Sequence, residues 1–307
     1  MNAGVVIEEH TVGDASSGPY GITTGPDGAL WFTMVGSGRI GRLVPGEEPS
    51  SHRLEPESGP TVIVTGPDGA LWFTEYKAHR IGRLTTDGAL DEFSPPTPDS
   101  GPYGIAAGPD GAVWFTEPNV GRIGRITTDG HVTEFPLPDA DAFPSAIAAG
   151  SDGCMWFTLH QANAIGRIDP AGDVAVHPLP TAGAGPVGIC AAEASTLWFV
   201  EIGAGQIGRI TVDGTITEFP LPDREARPHA ITAAADGTCW FTEWGANRVG
   251  SITPDGAIEV HDLPTPRSEP HGITEGPDGA LWVALETGAL ARVLPAGGAG
   301  TQTGGSR

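Results

Sequence analysis

Seven tryptophans hold one register through this chain: Trp31, Trp72, Trp114, Trp156, Trp198, Trp240 and Trp282, spaced by 41 residues once and by 42 five times. Around them recurs a pattern seen whole from Gly101 to Ile126, GPYGIAAGPDGAVWFTEPNVGRIGRI. Self-similarity at this period marks a repeat architecture, in which one supersecondary unit is copied and stacked. Each copy reads as four short strands. The Gly-Ile run is strand a, followed by a Pro-Asp-Gly turn such as Pro109-Asp110-Gly111. The Trp-Phe-Thr run is strand b, Arg-Ile-Gly-Arg-Ile is strand c, and Thr-Glu-Phe-Pro-Leu-Pro is strand d. No 3.6-residue apolar period competes. Four strands per repeat make one blade, so the spacing predicts an all-β, seven-bladed β-propeller.

The ends predict how the ring closes. After Trp282 the last copy supplies strand c and then runs into glycines, with no strand d of its own. The N-terminal Val6-Ile7-Glu8-Glu9-His10 resembles the strand d segment Ile258-Glu259-Val260-His261, and His10 and His261 each precede the next repeat tryptophan by 21 residues. The N-terminus is therefore expected to complete the last blade. Residues 1–295 would form one domain and 296–307 a disordered tail. Closure within one chain suggests a monomer.

Composition agrees. The 46 Gly and 29 Pro are too many for a helical protein and lack collagen's period. A formal charge of −22 repels phosphate backbones and anionic lipid, which argues against nucleic acid and membrane partners. Solubility is the simplest use of such a charge. No apolar run is long enough to span a bilayer, and no secretory leader is visible at Met1–His10, so a cytoplasmic location is expected. Cys154, Cys190 and Cys239 are too few and too scattered for a disulfide framework and read as packing residues. The glycine-rich turns lack the pattern and the strand-to-helix context of phosphate loops.

Seven copies in one chain permit an internal comparison. Positions required by the fold repeat; positions that change chemistry from copy to copy are candidates for function. One such column follows the proline before strand a: Tyr20, Thr61, Tyr103, Ser145, Val187, His229 and His271. A second lies four residues after each tryptophan: Val35, Tyr76, Pro118, His160, Ile202, Trp244 and Glu286. In an up-and-down blade the d-to-a and b-to-c connections emerge on one face, so both columns ring the same rim of the central funnel. His229, Glu269, His271 and Glu286 fall in neighbouring sectors. Two carboxylates with two imidazoles can hold a hard cation and leave a base free, Mg²⁺ suiting carboxylate and water ligands. Spacing alone leaves His229 and His271 open between solvated loop residues and site groups, and Glu286 could be a displaced surface carboxylate. His10, His177 and His261 replace Phe93, Phe135 and Phe219 of strand d and read as structural. Glu75, Glu117, Glu201 and Glu243, three after the tryptophan, suggest a repeated blade contact.

From about Val6 to Leu294 the chain resembles the virginiamycin B (streptogramin B) lyase family. The resemblance rests on Arg227-Pro228-His229-Ala230-Ile231-Thr232, on Trp240-Phe241-Thr242-Glu243-Trp244-Gly245-Ala246-Asn247, on Glu269-Pro270-His271-Gly272-Ile273 and on Glu286. It implies an enzyme that linearises cyclic depsipeptide antibiotics by elimination and needs Mg²⁺. It further implies Glu269 and Glu286 as metal ligands, His271 as catalytic base and His229 as a substrate contact. Tyr20, Tyr76, Tyr103 and Trp244 would line a rim suited to a macrocycle with aromatic side chains. The turn between His271 and Glu286 is one residue longer than the family pattern. A metal-dependent lactonase or other hydrolase on a propeller, and a non-catalytic binding propeller, remain the alternative readings.

Overall fold

The computed structural model describes residues 5–193 and 195–294. Among these residues there is no helix that could cross a membrane. Twenty-eight strands form seven four-stranded antiparallel sheets, each in the order a-b-c-d outward from the axis. The seven-bladed ring is as the repeat predicts. In blade 7 the outer strand is Val6–Thr11, which pairs antiparallel with Ala289–Leu294 from Val6↔Leu294 to Thr11↔Ala289. The C-terminal tail lies outside the described residues.

Hydrophobic layers lie between blades. Alternation along strand b turns each tryptophan toward the next blade and the following phenylalanine toward the previous one. Trp31 thus packs with Ile63, Leu71 and Phe73 of blade 2. All seven repeat tryptophans are buried. Strand c must offer glycine opposite the phenylalanine: a Cβ on Gly82 would stand 2.2 Å from the Phe73 ring. Strand d lays an aromatic ring on the tryptophan. Phe135 stacks on Trp114 at 5.5 Å, and His177 on Trp156 at the same 5.5 Å. His10, His52 and His261 do the same work, which accounts for the strand d histidines as packing groups. The Pro-Asp-Gly aspartate then fastens the outer face, as where Asp110 accepts from Trp114 Nε1 at 3.1 Å and from Arg125 Nε at 2.7 Å.

Adjacent blades are also tied by hydroxyls. The strand b threonine donates to the strand a carbonyl of the next blade: Thr33 to Thr61 (2.6 Å), Thr74 to Tyr103 (2.7 Å), Thr116 to Ser145 (2.7 Å), Thr158 to Val187 (2.8 Å) and Thr242 to His271 (2.9 Å). Each acceptor is a residue of the first variable column. The fold therefore fixes the backbone of the very positions whose side chains vary.

The repeated glutamates are internal. Glu75, Glu117, Glu201 and Glu243 have no exposed surface. Burial pushes the Glu117 carboxyl from its ordinary 4.5 to about 7, with the Ser100 hydroxyl beside it offsetting part of the rise. A carboxyl whose folded pKa lies above its unfolded one binds protons more strongly in the native state. Stability is then greatest below about 4.5 and declines as pH rises toward 7. Glu117→Gln is accordingly expected to melt higher than wild type at pH 8, with the difference fading at pH 5. A variant that melts lower at pH 8 would contradict this account. Ring closure has its own test: removing residues 1–12 strips blade 7 of its outer strand and is expected to lower the melting temperature sharply.

Candidate active site

Every strand a is preceded by a residue in the left-handed region, followed by proline. Four copies use glycine there; the others carry Phe143 (φ 55), Arg227 (φ 51) and Glu269 (φ 52). The carbonyl of this residue accepts from the second variable column, as in Trp244 N–H to Arg227 (3.1 Å) and Glu286 N–H to Glu269 (3.3 Å). This backbone bond sets the two columns side by side in each blade. Blade 3 shows the rule by exception. Pro118 has no N–H to donate, and its inner strand begins only at Ile105, where other copies begin at the proline.

Blade 7 keeps the register of its siblings, with Pro270 opposite Leu285 and Ile273 opposite Val283. The Gly276–Gly279 turn lies at the opposite rim, so its length does not displace Glu286. Glu269, His271 and Glu286 converge, with one ligand atom of each lying within 4.8 Å of the others. His271 is buried at 7% exposure, and its Nε2 stands 3.2 Å from Glu286 Oε2. Its Nδ1 is buried with no hydrogen-bond partner. The contact with His271 holds the Glu286 carboxyl down at about 2, with Glu269 beside it adding to the effect. Glu269 moves upward, chiefly through its hydrogen bond to Glu286. The two carboxylates thus influence each other's charge, and a divalent cation between them would relieve their repulsion. Two carboxylate oxygens beside one imidazole form a donor group that can hold a divalent cation.

Around this corner the walls are neutral. Blade 1 follows blade 7 in the ring, and the Tyr20 ring lies over His271 at 4.3 Å. The Tyr20 hydroxyl contacts His229 Nε2 at 3.3 Å and is hydrogen bonded to the Tyr103 hydroxyl. Burial, reinforced by the neighbouring His271, drives His229 down to about 3, so its imidazole stays uncharged. Burial also raises both phenols, keeping Tyr20 and Tyr103 protonated. Tyr20, Tyr103 and His229 stand together over an apolar central cavity of about 480 Å³. The rim is therefore narrowed at its centre by two joined tyrosines. Column order alone does not show this, because blades 1 and 3 are not neighbours and only side-chain length lets them meet. Trp244 lies beside Glu269 and favours its charged form. Tyr76 extends the cluster, its ring edge-on to Tyr103 at 6.2 Å and its hydroxyl donating to Asn119 at 3.1 Å. Asn119 is a rim residue absent from the sequence-based set, since its column lies one past the variable one.

Residues 5–293 match the model of the virginiamycin B lyase family. The chain belongs to that family. A virginiamycin B lyase of Staphylococcus aureus has the same ring with a TM-score of 0.91, 43% identity, and coverage of 95% of this chain and 99% of that one. A catalytically inactive histidine-to-alanine variant of the Staphylococcus aureus enzyme, solved with quinupristin, superposes equally well at 42% identity, covering 95% and 99% of the two chains. Among curated relatives, the virginiamycin B lyase of Saccharopolyspora erythraea is 65% identical over 93 residues, 30% of this chain and 31% of its own length.

Metal binding by this family member can be read without turnover. Added Mg²⁺ is expected to raise the melting temperature, by mass action on the folded state alone. Glu269→Gln and Glu286→Gln should each abolish the shift. An unchanged shift in both variants would place the cation elsewhere.

Proposed function

We propose that this protein is a Mg²⁺-dependent carbon–oxygen lyase that linearises streptogramin B-type cyclic depsipeptides by β-elimination, an activity that confers antibiotic resistance. The observation that carries the reading is a partly buried imidazole, His271, set against the Glu269–Glu286 carboxylate pair and walled by neutral phenols and His229. The site has an evident base and no Ser-His-Asp set to argue for acyl transfer. Family membership and the quinupristin-bound relative support the substrate class.

The chemistry follows from which atoms are reachable. Nδ1 of His271 is enclosed, leaving Nε2 to meet a substrate proton. Nε2 takes the proton from the carbon α to a carbonyl, the electron pair forms the Cα–Cβ double bond, and the Cβ–O ester bond breaks. The ester oxygen departs with its pair as a carboxylate. Water is not consumed. A C–H of this kind is weakly acidic, and a cation at Glu269 and Glu286 would supply Lewis-acid stabilisation of developing negative charge. Glu286, at 3.2 Å, offsets the charge that His271 acquires. His229, uncharged, offers hydrogen bonding without competing for the proton. The aromatic rings of Tyr20, Tyr103, Tyr76 and Trp244 would meet the macrocycle's apolar face.

Incubation with a streptogramin B and Mg²⁺ tests this directly. The linear product should have the mass of the substrate and a new near-ultraviolet absorbance from its conjugated double bond. A product heavier by one water would instead identify a hydrolase. His271→Ala should lose about 10²–10⁴-fold in rate. It should fold normally, because the same slot accepts Tyr, Thr, Ser and Val in other blades.

A further inference from the structure

The residue before each strand a proline adopts φ between 51° and 60° in all seven blades. Glycine fills the slot at Gly18, Gly59, Gly101 and Gly185, which shows what the backbone prefers. A side chain in this conformation is strained, and a strained position kept in a fold points to use. Glu269 has such a use at the carboxylate pair. Arg227 occupies the equivalent slot one blade earlier.

Its surroundings are specific. The guanidinium of Arg227 lies 5.7 Å from the centre of the Trp244 ring, and the Trp244 indole in turn adjoins Glu269. Arg227, Trp244 and Glu269 thus run in sequence along the rim. Gly245 leaves room for the stem, since a Cβ there would stand 3.1 Å from Arg227 Cγ. The chain carries 38 acidic residues against 16 Lys and Arg, and ion pairs occupy Arg80, Arg83, Arg125 and Arg248. Among the described residues the Arg227 guanidinium makes no ion pair or hydrogen bond. Its guanidinium is exposed, oriented by an aromatic face, and free to receive an anion.

We propose that Arg227 binds the carboxylate that ring opening creates. This inference rests on the elimination reading. Breaking the Cβ–O bond turns a neutral ester into an anion beside Glu269 and Glu286, in a protein of net charge −22. A fixed guanidinium can take that carboxylate bidentately, which a lysine cannot match. Because charge develops as the bond breaks, the contact strengthens from substrate to transition state.

The experiment compares wild type, Arg227→Gln and Arg227→Gly on a streptogramin B with Mg²⁺. Both variants should lose tenfold or more in kcat/KM, mainly in kcat, the scale of a charged hydrogen bond. Inhibition by the isolated linear product should weaken by a similar factor. Arg227→Gly should melt no lower than wild type, because glycine relieves the left-handed strain. A residue with only a structural role would give the opposite pairing, lower melting with normal turnover, and would overturn the proposal. Arg267, which borders the groove at Glu269 and Glu286 from the other side, supplies the comparison. If Arg267→Gln weakens product inhibition and the Arg227 variants do not, the assignment is overturned. If wild type does not open the ring, the elimination reading fails and this inference with it. If it does and the Arg227 variants match it, only this inference fails.

Discussion

The threonine hydroxyl that crosses from strand b of one blade to strand a of the next is the contact on which the site depends. Its acceptor is the carbonyl of the variable residue itself, so one bond joins the ring and aligns the funnel lining. Each such bond contributes about 0.5–1.5 kcal/mol net, and its geometric effect exceeds its energy. Two blades lack the hydroxyl. Blade 5 has Val200 and blade 7 has Ala284 at that position, and the carbonyls left without it are those of His229 and Tyr20. At both seams a glycine still lets the chains approach closely, as Gly21 and Gly104 do where the hydroxyl is present: a Cβ on Gly188 would stand 2.7 Å from the His229 carbonyl, and one on Gly272 2.6 Å from that of Tyr20. The site thus spans both kinds of seam: the His271 carbonyl is held by the Thr242 hydroxyl at 2.9 Å, whereas those of His229 and Tyr20 lie at the two seams without one.

His229 is neutral through burial, and both phenols stay protonated, so the lining offers dipoles rather than charge. Charge is confined to one corner, where Glu286 remains ionised beside His271. Two carboxylates meeting at one corner of an otherwise neutral lining make that corner the place where a cation is attracted. The same corner keeps His271 placed to take a proton, since the charge it gains meets a carboxylate at 3.2 Å.

Much of this was legible in the sequence. The period of the tryptophans set the blade number, and the likeness of Val6–His10 to Ile258–His261 located the closing strand. The columns brought His229, His271 and Glu286 to one rim because alternation and up-and-down topology are properties of the backbone. What escaped depended on side-chain reach. Tyr20 and Tyr103 meet across the axis although their blades are not adjacent, and the Tyr76 hydroxyl turns to Asn119 while its ring meets Tyr103 edge-on. The left-handed slot was equally hidden. Four glycines hinted at it, but Phe143, Arg227 and Glu269 are ordinary residues until their φ angles are known.

Blade 7, which carries the proposed catalytic corner, has added support at its outer edge. Its outer strand pairs six residues with strand c, whereas outer strands of other blades pair four or five. Glu8 reaches Arg292 at 3.2 Å, and Glu9 accepts the Thr265 amide at 3.1 Å on the connection arriving from blade 6. The same glutamate-to-threonine clasp recurs at Glu134 with Thr97 and at Glu218 with Thr181. In blade 7, however, the glutamate comes from the opposite end of the chain. One N-terminal strand thus completes the sheet that carries His271 and Glu286 and also pins the segment that leads into Glu269. Closing the ring and steadying the proposed catalytic corner are the same physical event.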